Sequence, residues 1–209
     1  MATPDESEAP VRTQGGDPNV TWEDTAKHIG EDYSGGDIMV ADERVDKVML
    51  SRYCEPAEIG NRTYWDEEVA RMAGYRSQVV PWAMVKEVPT YCGNWRPGQP
   101  TRFPLDADVD FQSQLAARSP STGDPPMPPT NAGFFTDMTI EFFEPVCLGD
   151  RLTTMGRVLH HVTPKETRVG VGAFLGYTTS YFNQNGQLVA KATQGSYRFI
   201  RKAEEEIVR

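Results

Sequence analysis

The chain has 209 residues, 38% of them hydrophobic, which suits one globular domain with its own core. There are 30 acidic residues against 21 basic ones, a net charge of -9, which argues against nucleic acid as a partner because phosphate contacts need clustered Lys and Arg. No apolar run reaches the roughly 18–20 residues that span a bilayer, and the acidic start MATPDESEAP has no apolar signal stretch, so a cytoplasmic protein without a membrane partner is expected.

Residues 1 to about 20 read as a disordered acidic leader, rich in Pro, Gly and acids. Residues 21–201 form the expected domain, and 202–209 a charged tail. Cys54, Cys92 and Cys147 are scattered and odd in number, so neither a metal site nor a disulfide framework is expected.

From Trp22 to Gly74 the pattern is helical and acidic. Val45, Val48, Met49 and Tyr53 mark one helix face, ended by Pro56 and Gly60. Asp66-Glu67-Glu68 opens a short helix whose first-turn acids suit the helix dipole, and Gly74 closes it. Val79 to Tyr91 is apolar nearly all round and predicts a buried helix, ended or kinked by Pro89. Residues 93 to about 130 are punctuated by Pro and Gly and are too long for an ordinary connection.

Strands follow. Met138, Ile140 and Phe142 alternate with polar residues. Leu148-Gly149-Asp150 predicts a turn, Arg151–Val162 a strand, and Thr163-Pro164-Lys165 another turn. Thr167–Phe182 predicts a long third strand. Asn185-Gly186 predicts a type I′ hairpin turn before a fourth strand, Gln187–Ile200. Helices first and an antiparallel meander after them predict an α+β fold, a long central helix wrapped by a curved sheet.

The third strand places Gly170, Gly172 and Gly176 on one face. Glycine weakens a strand interior, so the row needs a reason. One reading is close packing of the sheet on the helix, or a bend. The other is a ligand lying on the strand, with Lys165 and Arg168 near its phosphates.

Tyr53 to Pro81 carries Asn61, Tyr64, Asp66, Ala70, Gly74 and Gln78-Val79-Val80-Pro81 in an order that resembles the substrate-facing segment of MaoC-like (R)-type enoyl-CoA hydratases. Asp137–Asp150, Lys165–Gly172 and Tyr181–Gly186 are similar to the same family's sheet, so the resemblance covers about residues 40 to 200. It implies a single hot-dog fold of the FAS1-like dehydratase N-terminal type. It also implies an acyl-CoA ligand, with coenzyme A as part of the substrate and no separate cofactor.

The departures carry the functional expectation. Hydration needs a general base and acid within reach of one water, and the family supplies them as an aspartate and a histidine. Ile59 and Tyr64 stand at those places. Isoleucine takes no proton, and tyrosine, with a reference pKa of about 10, is a poor base at neutral pH. The family's glycine at the start of the buried helix, whose N–H can hold the thioester oxyanion, is replaced by Pro81-Trp82. Glu58 is one residue from the base position, and His160 and His161 fall in a strand.

The chain therefore resembles the non-catalytic subunits of heteromeric hydratases, including those acting on steroid side chains and the mycolic-acid dehydratases. Asn61, Tyr64, Val80, Trp82, Lys165, Arg168, Gly170 and Gly172 are the candidate substrate-binding residues. The implied partner is a small MaoC-like subunit carrying Asp and His, and Pro89 and Trp82 suggest a bulky, steroid-like acyl group. Two alternatives stay open: a self-sufficient hydratase or thioesterase using Glu58 or Tyr64, and an acyl-CoA binding protein without catalysis.

Overall fold

The structure is a computed structural model that describes residues 16–87, 95–99 and 123–202. The sequence readings on Pro89, Cys92, residues 100–122 and most of both tails lie outside the described residues. Five strands form one antiparallel sheet in the order β1-β3-β4-β5-β2: β1 (Ile38–Val40), β2 (Ala132–Phe142), β3 (Thr153–Glu166), β4 (Gly170–Phe182) and β5 (Leu188–Arg201). The described helices are α1 (Trp22–Ala26), α2 (Lys47–Cys54), α3 (Glu67–Met72) and α4 (Met84–Glu87). No described helix is long and apolar enough to cross a membrane.

Side chains alternate across each strand, so the sheet has two faces. On the inner face, Tyr181, Ala190 and Ala192, with Leu152 and with Val189 at a register shift of β5, pack with Leu50 and Cys54 from α2 and with Val80, Met84 and Val85 around α4. Further along that face, Leu159, Ala173 and Leu175 are covered by Met127, with Trp22, Tyr33 and Tyr177 alongside. Arg157 closes this part. Its guanidinium lies 3.7 Å from the centre of the Tyr177 ring and bonds Asp124 at 2.8 Å. Burial there pushes the Tyr177 hydroxyl up to about 12.

Local signals explain most boundaries. Thr21 caps α1 in a capping box with Asp24, and Asp46 and Asp66 cap α2 and α3 by accepting from backbone N–H groups. Gly74, at φ 93, ends α3 as expected.

Other boundaries differ from the sequence reading. β1 sits inside the stretch read as helical; its three residues are too few to show a period. On α2 the buried stripe is Leu50 and Cys54, four residues apart, while Val48 is 58% exposed. The buried helix starts at Met84, not Val79. Val79 bridges Cys147 and the Val80 N–H bonds the Val146 carbonyl at 2.7 Å, because Pro81 disfavours helical backbone in the residue before it.

The turn expected at Thr163-Pro164-Lys165 is continuous strand. β1 pairs only with residues 153–155, so β3 has a free edge at Pro164 where a missing N–H is harmless. The chain reverses at residues 167–169 instead. The Asn185-Gly186 turn is in place but is not type I′. Only Gly186 has positive φ, at 74, and the Asn183 carboxamide accepts from the N–H groups of Asn185 and Gln187.

Candidate functional site

The loop between α2 and α3 forms one wall of the candidate site. Asn61 caps a single 3₁₀ turn, Arg62–Tyr64, accepting from the Thr63 N–H and hydroxyl at 3.1 and 2.9 Å. The Trp65 indole N–H donates to the Ile59 carbonyl at 2.7 Å and ties the loop to itself. Two bonds dock it onto the segment leading into α4: the Gln78 amide to the Tyr64 carbonyl at 3.0 Å, and the Val79 N–H to the Thr63 carbonyl at 3.2 Å.

Ile59 and Tyr64 thereby pack against the cluster that contains Val80 and Met84, with Ile140 and Phe142 from β2. Trp82 stacks at a tilt on Phe142, ring centres 4.5 Å apart, and 40% of it is exposed. The wall is apolar at Ile59 and Tyr64. Among the loop carboxylates, Asp66 serves as the α3 cap. N–H groups of Val69 and Glu68, together with Arg62, hold it below the usual carboxylate range. Glu58 is exposed, its carboxylate makes no hydrogen bond to a described residue, and it is the one described non-glycine residue with positive φ, at 49.

The histidines lie elsewhere. His28 bonds Glu31 at 2.9 Å near α1. His160 falls in a bulge of β3, and the His161 ring covers Gly176 on the outer face of the sheet. Burial pushes His161 below the ordinary histidine value, His160 adds to this and Asp137 opposes it. No group of three or more metal-ligating side chains occurs among the described residues.

The eight residues singled out from sequence fall in two places. Asn61, Tyr64, Val80 and Trp82 gather at the inner wall. Lys165 and Arg168 are exposed at the far β3–β4 hairpin, beside Gly170 and Gly172 on the opposite face. That face corrects the ligand reading of the glycines. A Cβ at Gly170 or Gly172 would collide with the backbone of β5 and with Phe199. Phe199 stacks on Tyr197, which stacks on Phe174, and the Tyr197 hydroxyl lies 2.8 and 2.9 Å from the Lys165 and Gly170 carbonyls. The glycines make room for aromatic side chains of the protein itself. Their other expected role, packing on the helix, also fails, since they face away from it.

Sequence reasoning missed one polar network. Asp150, read only as part of a turn, has no exposed surface, and it accepts from Arg76, from the Cys147 N–H at 2.8 Å and from the Gln184 amide at 2.9 Å. Nothing in a lone Gly-Asp dipeptide signals this.

A curved antiparallel sheet with its apolar face on a helix, strands ordered 1-3-4-5-2, defines the hot-dog class. Residues 27–192, more than half of the chain, match the FAS1-like, dehydratase domain region, and the chain belongs to that family. No curated protein is significantly similar to it in sequence. Among solved structures it is similar to a chain of the ChsH1–ChsH2 complex from Mycobacterium tuberculosis, with 21% identity and a TM-score of 0.59 over 86% of this chain and 96% of that one. It is also similar to a chain of the C-terminally truncated HadBC (3R-hydroxyacyl-ACP dehydratase) complex from Mycobacterium tuberculosis, with 16% identity and a TM-score of 0.50 over 78% of this chain and 95% of that one. At these identities the likeness speaks for the fold.

Proposed function

We propose that this chain is the non-catalytic, substrate-shaping subunit of a heteromeric enoyl-CoA hydratase, which adds water reversibly to a 2-enoyl-CoA. The observation that carries the reading is the packing of Ile59 and Tyr64 into an apolar cluster at the two acid–base positions. Without that pair, the roughly 10²–10⁴-fold contribution of general acid–base catalysis must come from another chain. A small MaoC-like partner carrying Asp and His would supply it.

Two further features support a partner. β2 is an outer strand of the sheet, and Phe134, Phe135 and Met138 on it are exposed, Phe135 by 78%. Among the described residues no strand pairs with its outer edge, and an unpaired apolar edge is a template for a strand of another chain. The two solved structures named above are both complexes of differently named subunits. Trp82 on Phe142 gives the inner wall a broad aromatic surface, which suits a bulky, steroid-like acyl group. The reading places the protein in the cytoplasm, where acyl-CoA is made and used.

The test is turnover. The purified chain alone is expected to leave a 2-enoyl-CoA unhydrated, and activity is expected on mixing with the small partner. Hydration by the isolated chain at an ordinary enzymatic rate would overturn the reading in favour of a self-sufficient enzyme. Loss of that activity in Glu58→Gln would then name its base.

A further inference from the structure

A pocket of about 340 Å³ opens beside the segment that leads into α4, with Arg76, Glu144, Asn183, Asn185 and Gln187 among its walls. Arg76 is fixed from behind. One of its amino groups is bound to Asp150, whose carboxylate also fastens the Cys147 N–H and the Gln184 amide. A carboxylate without exposed surface is costly to bury and holds its partners rigidly. No other described residue accepts a hydrogen bond from this guanidinium, and half of the Arg76 side chain is exposed. A guanidinium is a planar fork of five N–H donors, so an edge stays free for a second anion.

The Asn183 carboxamide is committed within its own turn, whereas the Asn185 side chain bonds no described residue. The pocket shares Cys147 with the Val79–Cys147 bridge, next to Val80 and Val146 of the apolar wall. Arg76 stands four residues before Val80, so their Cα atoms lie within about 14 Å of each other. A pantetheine arm has about as many backbone bonds as four extended residues and spans about the same distance.

We propose that Arg76, set by Asp150, takes a phosphate of the thioester carrier, with Asn185 beside it, while the acyl end lies against half-buried Tyr64, which packs on the cluster that contains Val80. The proposal rests on the acyl-thioester reading above and replaces Lys165 and Arg168 as the phosphate contact. Glu144 on the same rim opposes an anion, which supplies a gain-of-affinity control.

Calorimetric titration of the purified chain with coenzyme A, 4′-phosphopantetheine and pantetheine tests it. Arg76→Lys keeps the charge beside Asp150 but loses the second edge, and Asn185→Asp adds a negative charge in an exposed loop. Each is expected to weaken coenzyme A binding on the order of tenfold, and Glu144→Gln to tighten it by about threefold. Pantetheine, which has no phosphate, is expected to respond to none of them. An equal dependence for 4′-phosphopantetheine assigns the phosphate shared with protein-bound carriers; a dependence for coenzyme A alone assigns its adenosine-end phosphates. Variants with native circular dichroism and wild-type affinity for coenzyme A overturn the proposal, as does a wild-type chain that binds no coenzyme A at millimolar concentration. Binding through Arg76 without hydration alongside any partner would sink the hydratase reading and leave this one standing.

Discussion

Replacing Asp150 by Ala removes a fully buried carboxylate that three segments share. The Cys147 N–H and the Gln184 amide lose their acceptor inside the protein, and the lead-in to α4 loses its tie to the β4–β5 loop through Arg76. The Arg76 charge left behind is half exposed and water can solvate it, so the main loss is the buried Cys147 N–H left without an acceptor, about 1–3 kcal/mol of the roughly 5–15 kcal/mol that holds a domain folded. For a chain of this size each kcal/mol lowers the melting temperature by about 2–4 °C, so a fall of roughly 2–12 °C is expected. Urea denaturation gives the free energy directly. Adding Arg76→Ala to Asp150→Ala is expected to cost less than Arg76→Ala alone, because the buried charge it would strand is already gone. A loss under about 1 kcal/mol for Asp150→Ala, or strict additivity, refutes the view that this carboxylate joins the three segments.

Gly172→Ala is expected to destabilise the sheet by about 2 kcal/mol or more, since the added Cβ meets the Arg198 carbonyl and Phe199; a fully stable variant with weakened acyl-CoA binding would instead restore the ligand reading of that glycine. Glu58→Gly should stabilise the chain by about 1 kcal/mol by relieving a left-handed backbone, read as a raised urea midpoint, and an unchanged midpoint argues against that conformation. The native His161 value lies below its unfolded value of about 6.5, so the unfolded chain takes up the proton first and stability drops as pH falls through that value. Denaturation between pH 7 and 5 should show a shallower loss in His161→Gln than in the wild type; equal slopes would rule out a neutral buried imidazole.

The strand half of the molecule was largely legible. Met138, Ile140 and Phe142 alternate with polar residues in β2, and Gly170 and Gly186 stand at or next to the reversals that flank β4. Errors arose where one residue type has two meanings. Pro164 looked like a turn and is strand, because among the described residues nothing pairs with that side of β3 beyond Leu159. Gly170 and Gly172 looked like space for a ligand or a helix, and the space belongs to Phe199, a contact between residues that only register brings together. Ile59 and Tyr64 were found by their place in a motif, and the structure adds that both are packed apolar residues. Arg76 and Asp150 are 74 positions apart, with no pattern linking them, so their pairing was invisible.

The bulge at Thr136–Asp137 has a consequence for the open edge of the sheet. It divides β2 into two paired runs, Ala132–Phe135 and Met138–Phe142, with the register shifted between them. A strand laid along this edge must carry an irregularity at the same level or lose pairing over one run. Endless stacking of identical straight strands, the route to fibrils, is thereby blocked, while one matching chain can still be accommodated.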